Sequence, residues 1–146
     1  MKISIGADHG GVDLKDGLGQ ALRAAGHEVL DRGTHGHESV DYPDFAIAVS
    51  NDVAAGTAER GVLVCTTGIG VSISANKIHG IRAALCHNED GAEFGRRHND
   101  ANIICFGQKY ITPYMAQKMT MIFLNTGFEG GRHERRVKKI AAEEHC

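Results

Sequence analysis

The chain has 146 residues, 16 Lys+Arg against 18 Asp+Glu, a formal charge of −2, 42% apolar residues and 5% aromatics, which fits one domain over 1–146 able to bury roughly two-thirds of its unfolded surface. Its basic residues are scattered until the C-terminal segment, so the charge pattern points to neither nucleic acid nor an acidic membrane surface. The amino terminus reaches Gly6 and Asp8 too soon for a secretory signal and no apolar run approaches the ~18 residues of a membrane span, so a cytoplasmic location is expected.

In chain order, Ile3–Ala7 reads as a buried strand and ends on Asp8-His9-Gly10-Gly11. An acid–histidine pair there offers a proton carrier or phosphate ligand, and equally suits an N-capping aspartate beside a surface histidine. Helical period follows over Val12–Ala25, with Leu14, Leu18, Ala21, Leu22 and Ala25 on one face and Gly26 where a C′ glycine belongs. A second strand is expected at Glu28–Leu30. The loop 32–43 carries His35 and His37 without a third clustered ligand, so no metal site is expected there. A helix over Asp44–Ala55 comes next.

Val62–Cys65 is the most hydrophobic strand, apolar on both sides as two covered faces require. It opens through Thr66-Thr67-Gly68-Ile69-Gly70 into a helix over Val71–Lys77. Flexible backbone here presents N–H groups to an anion or a developing oxyanion, although a plain strand-to-helix turn also accounts for a lone G-x-G. A dinucleotide fingerprint fails because Ile73 stands at the third glycine position, and no G-x-x-x-x-G-K-[ST] exists for a P-loop. A cysteine phosphatase would need an arginine where Val71 stands. What remains is a cysteine above a set of amides, suited to act as base or nucleophile.

Strands at Ala83–Cys86 and Ile103–Phe106, and helices at Glu89–Arg97 and Pro113–Leu124, continue the alternation. The pattern predicts a three-layer α/β/α, Rossmann-like domain with a five-stranded parallel sheet. Taken alone, His98-Asn99-Asp100 reads as a helix terminus. Gly130-Gly131 opens a basic C-terminal helix over Arg132–Lys139, whose narrow apolar side of Val137, Ile140 and Ala141 is expected to pack in part on a second subunit. Arg132 and Arg136 share a face, and two guanidinium forks suit a phosphate dianion. A solvated basic helix is the bland alternative. Cys65, Cys86, Cys105 and Cys146 form no C-x-x-C pair, which excludes a local zinc finger or dithiol site and leaves Cys86 and Cys105 as core thiols. Ligands of open α/β sheets bind beyond the carboxyl ends of the strands. That rule singles out Asp8–Gly11, the loop 32–43, Thr66–Gly70, Cys86-His87 and the turn after Phe106.

Several motifs recur in order: Asp8-His9-Gly10-Gly11, Asp41-Tyr42-Pro43, Cys65-x-Thr67-Gly68-x-Gly70, and Ala75-Asn76-Lys77 with Gly80-Ile81-Arg82-Ala83. Arg97-His98-Asn99-Asp100-x-Asn102 and Gly130-Gly131-Arg132-His133-x-x-Arg136 complete the series. Over nearly the entire chain this resembles the type B ribose-5-phosphate isomerases and the related galactose-6-phosphate and allose-6-phosphate isomerases. The resemblance implies an aldose–ketose isomerase working through an enediolate, with no metal and no cofactor. Cys65 would move the proton between C2 and C1, His98 would open the furanose ring as acid and base, and Asp8 would hold sugar hydroxyls or assist ring opening. The backbone of Thr66, Gly68, Ile69 and Gly70, with Thr67, would stabilise the enediolate oxygen. Asn99 would bind the sugar, Tyr42 would line the pocket, and His9, Arg132 and Arg136 would clamp the phosphate.

Galactose-type subunits often lack the cysteine, so the resemblance favours ribose 5-phosphate and ribulose 5-phosphate over allose 6-phosphate, galactose 6-phosphate or erythrose 4-phosphate. Thr66 stands where the family commonly has glycine, and Lys109 where it commonly has arginine at a substrate-binding position. The resemblance also implies a homo-oligomer, a dimer or dimer of dimers, in which His98 and Asn99 reach the pocket holding Cys65 of the other copy. A non-catalytic phosphosugar-binding module, with Cys65 structural only, is the alternative of a different class.

Overall fold

Residues 1–145 are described by the computed structural model; Cys146, counted above among the thiols, lies outside the described residues. The apolar runs form five strands, β1 (Lys2–Ala7), β2 (Glu28–Asp31), β3 (Arg60–Cys65), β4 (Ala83–Leu85) and β5 (Ile103–Gly107). They pair in parallel in the order β2-β1-β3-β5-β4. The helices are α1 (Val12–Ala24), α2 (Tyr42–Ala54), α3 (Ile69–Ala75), α4 (Glu89–Asn99), α5 (Pro113–Asn125) and α6 (Arg132–Ala141). The architecture is the expected three-layer, Rossmann-like one.

Alternation along each strand divides the core. Ile3, Ile5, Val62, Val64, Ile104 and Phe106 meet Leu14, Leu18 and Leu22 of α1 and Met119 and Phe123 of α5 on one face. Leu63, Cys65, Ile103 and Cys105 meet Ala46 and Val49 of α2 and Val71 and Ala75 of α3 on the other. Because neighbouring β3 residues face different layers, the strand reads as continuously apolar.

One local expectation is corrected: Ala25 is exposed, because it is the C-cap residue of α1, beyond the last buried position at Leu22. In α6 the buried residue is His133, and Ile140 and Ala141 are exposed on the single chain. One feature was not anticipated: the Lys15 side chain is fully buried, its Nζ donating to both Asp31 oxygens at 2.8 and 2.7 Å and lying 2.9 Å from Asp16 Oδ1.

Parallel pairing puts every strand's carboxyl end on one edge of the sheet. Each following helix therefore returns to the other edge. Asn102 N–H donates to the Arg82 carbonyl at 2.9 Å and Gly61 N–H to the Asn102 carbonyl at 3.0 Å, which marks the amino edge beneath the end of α4. Glu129 N–H donates to the Arg97 carbonyl at 3.0 Å, so the segment leading into α6 is pinned to that same edge.

Candidate active site

β3 delivers Cys65 to the carboxyl edge, where the chain must reverse into α3 within a few residues. Gly68 makes the reversal at φ +78°, and a Cβ there would lie 2.5 Å from Leu85 Cδ1 and 2.8 Å from the Phe106 carbonyl carbon. Only glycine fits. The turn aims the Gly68 N–H at Cys65 Sγ, 3.1 Å away, and the Ile69 N–H at Thr67 Oγ1, 3.3 Å away. Cys65 is thus buried yet lines a cleft of about 430 Å³, shared with Asp8, Tyr42, Thr66, Thr67 and Gly70. Ile69 and Ile73 form its outer rim and are 52% and 57% exposed.

The neighbouring loops are fitted to this turn. Asp8, buried at the end of β1, accepts the Gly10 N–H at 2.9 Å. His9 Nδ1 accepts the Val40 N–H at 3.2 Å, which ties the loop after β2 to the site and leaves Nε2 open. A Cβ on Gly10 would clash with Thr66 Oγ1, so the threonine side chain is accommodated because position 10 has none. A Cβ on Gly70 would approach the Tyr42 ring to 2.5 Å, which lets the ring lie flat along the turn. Lys109 N–H donates to the Thr66 carbonyl at 3.1 Å, and Gln108 Oε1 accepts the Leu14 N–H at 2.9 Å, fixing the turn after β5 beside the cleft.

The remaining sequence-derived candidates lie elsewhere in the chain. His98 closes α4 at the amino edge, stacked on His133 with centroids 4.1 Å apart and planes 10° from parallel. Glu129 Oε2 lies 3.8 Å from His98 Nε2, and Glu129 Oε1 lies 3.7 Å from His133 Nε2. Burial, with His98 and Arg132 nearby, holds the His133 imidazole below its ordinary range, and the hydrogen bond from Arg97 lowers the Glu129 carboxyl. Arg132 and Arg136, both exposed on α6, add their charge to this group. Asn99 lines a different cavity of about 460 Å³ with Asn76, Arg82 and Ile140.

His98, Glu129 and His133 place three potential donor atoms within 4.8 Å of one another. Arg97 Nε already holds the carboxylate at 2.6 Å, and the two α6 arginines add positive charge, so the surroundings disfavour a cation.

One chain therefore assembles Asp8, His9, Tyr42, Cys65 and the 66–70 turn at one edge, and His98 with Arg132 and Arg136 at the other. The sequence reading gave no site role to Ile73, Glu129 or His133, and reached Gln108 and Val40 only as parts of the turn after Phe106 and the loop 32–43. The i,i+4 spacings Ile69/Ile73 and Glu129/His133 were the signals available for the first three. No local signal singles out Gln108 or Val40, whose contacts join distant segments.

Residues 3–140 match the family described as Ribose/Galactose Isomerase. The chain is 42% identical over 143 residues to ribose-5-phosphate isomerase B of Escherichia coli, covering 98% of this chain and 96% of that one. Its fold superposes on the ribose-5-phosphate isomerase B structure of Clostridium thermocellum with a TM-score of 0.96 at 48% identity, covering 97% and 96% of the two chains. A Mycoplasma genitalium ribose-5-phosphate isomerase B structure with bound ribulose 5-phosphate matches with a TM-score of 0.94 at 38% identity, covering 98% and 95%. Sequence and fold agree over nearly the whole length, and the chain belongs to the ribose/galactose isomerase family.

Proposed function

We propose that this chain interconverts ribose 5-phosphate and ribulose 5-phosphate through an enediolate, at sites shared between two copies of the chain. The observation carrying this reading is Cys65 in the lining of a cleft, its sulfur fixed by the Gly68 N–H at 3.1 Å beside the further amides of a glycine turn. A base next to fixed N–H donors is what enediolate chemistry requires.

With the sugar open, the Cys65 thiolate removes the C2 proton. The C–H electron pair forms the C1=C2 bond and the carbonyl pair moves onto O1, facing the turn amides and the Thr67 hydroxyl. The O2–H proton then passes to O1, and the thiol returns its proton to C1, which leaves the C2 carbonyl of the ketose. Asp8 orients the sugar hydroxyls, and Tyr42 closes one wall of the cleft. None of these steps calls for a metal or cofactor.

Ring opening needs an acid–base group besides the Cys65 base and the Asp8 carboxyl that orients the sugar hydroxyls. His98 supplies it from the partner, together with Asn99. Arg132 and Arg136 share the His98 edge, so they arrive with it and meet the phosphate from the side opposite His9 and Lys109. The exposed Ile69, Ile73 and Ile140 side chains support burial against a second copy.

The test is incubation with ribose 5-phosphate in the presence of a chelator, followed by ketose colorimetry and a kcat/KM panel over four-, five- and six-carbon aldose phosphates. Ketose formation with the five-carbon sugar preferred supports the reading. Binding without turnover favours the phosphosugar-binding module, in which Cys65 serves only its core contacts with Leu63, Val71 and Cys105.

A further inference from the structure

We infer that Glu129 is a positioning residue for His98, locking the imidazole against the His133 ring so that one nitrogen is presented to the sugar during ring opening. The inference rests on the reading of His98 as the ring-opening group. It assigns a function to two residues, Glu129 and His133, that the proton-transfer step does not use.

His98 sits on the last turn of α4 with its side chain 37% exposed, a place where an imidazole alone would sample several rotamers. Here it packs against two rings, Phe94 with centroids 4.9 Å apart at a 46° tilt and His133 stacked at 4.1 Å. His133 is buried and its Nε2 makes no hydrogen bond, so this ring is a fixed platform whose unpartnered nitrogen points toward the Glu129 carboxylate.

The carboxylate is itself immobilised. Arg97 Nε donates to it at 2.6 Å, Arg97 is braced by Glu93 at 3.0 Å, and the Glu129 N–H is bonded to the Arg97 carbonyl at 3.0 Å. One oxygen of a held carboxylate therefore faces each imidazole. Because Glu129 faces Nε2 of His98, Nδ1 is the nitrogen left for the anomeric hydroxyl. As that nitrogen takes the proton, positive charge grows on the ring 3.8 Å from a carboxylate, against the opposing field of Arg97, Arg132 and Arg136. A carboxylate behind an imidazole both orients it and stabilises its cation.

Two reactions of the same protein separate positioning from general damage. Isomerisation of ribose 5-phosphate requires the ring to open. Wash-in of solvent deuterium at C1 of ribulose 5-phosphate does not, because that ketose has no free hydroxyl placed to close a five-membered ring on its carbonyl. Glu129 is 38% exposed, so an amide fits in its place. In Glu129→Gln, kcat/KM for ribose 5-phosphate is expected to fall about tenfold or more, within the roughly 10²–10⁴ that acid–base catalysis contributes. Deuterium wash-in should stay within about twofold, as expected when the proton-transfer step is untouched. Glu129→Asp, which keeps the charge, should recover part of the loss. An equal fall in both reactions, or no fall in either, overturns the inference while leaving the function reading intact. If His98→Gln itself isomerises ribose 5-phosphate normally, the reading of His98 fails and this inference fails with it.

Discussion

Cys65 and His98 stand at opposite edges of one sheet. Cys65 ends β3 at the carboxyl edge, whereas His98 ends α4 beside the Arg82 and Asn102 contacts that precede β4 and β5. The intervening strand length is on the order of 15 Å, more than either side chain spans. The proposed site, which uses both, therefore draws them from two copies.

Cys65→Ala should abolish isomerisation while leaving sugar-phosphate binding, because the side chain removed is a small one at the cleft wall. The expected loss is roughly 10²–10⁴-fold in kcat. Steady-state kinetics with a parallel binding titration checks this, and near-native turnover in the variant would remove Cys65 from the base role.

Arg136→Ala should act mainly on KM, since the phosphate does not react and serves to position the reacting carbons. Some loss of kcat is expected through poorer positioning. Unchanged kinetics would return α6 to the status of a solvated basic helix.

Asp31→Ala should destabilise the fold by roughly 3 kcal/mol, because it strips the fully buried Lys15 ammonium of its bidentate partner. Asp16, which is 52% exposed, should matter far less: Asp16→Ala is expected to cost under ~1 kcal/mol. Urea denaturation midpoints of the two variants give the comparison, and similar losses would contradict it.

The pH dependence of stability should carry a His133 contribution of defined sign. Burial, His98 and Arg132 hold the folded-state value below the ordinary 6.5, so the fold prefers the neutral ring. That contribution is fully present above pH ~6.5 and is lost as pH falls through the lower folded value. Glu129, held below the usual carboxylate range by Arg97, loses its own contribution only in more acidic solution, below about pH 4.5. Melting curves between about pH 7 and 5 should therefore show a decline that His133→Gln flattens. A decline equal in both proteins would assign it to other groups.

Element order was legible because the apolar period changes clearly along this chain: Val62–Cys65 could be nothing but a buried strand, and Gly26 marked the end of α1. The Thr66–Gly70 turn was legible for the same reason, since glycine at φ +78° is required where Gly68 passes Leu85 and Phe106. Lys15 was not. Its burial depends on Asp31, which reaches it only after β2 pairs with β1, and no local pattern encodes that meeting. The two-edge division was also invisible residue by residue. His98 read as a helix terminus and Arg132 as half of a guanidinium pair on a basic helix, and only the parallel topology shows them to be far from Cys65 and close to each other.

The most direct test of the shared site mixes Cys65→Ala with His98→Gln chains, unfolded and refolded together. Heterodimers should form about half the population, and each carries one site with an intact Cys65 and an intact His98, so roughly a quarter of wild-type activity should return. If the mixture stays as inactive as its parents, both residues act within one copy and the shared site is wrong.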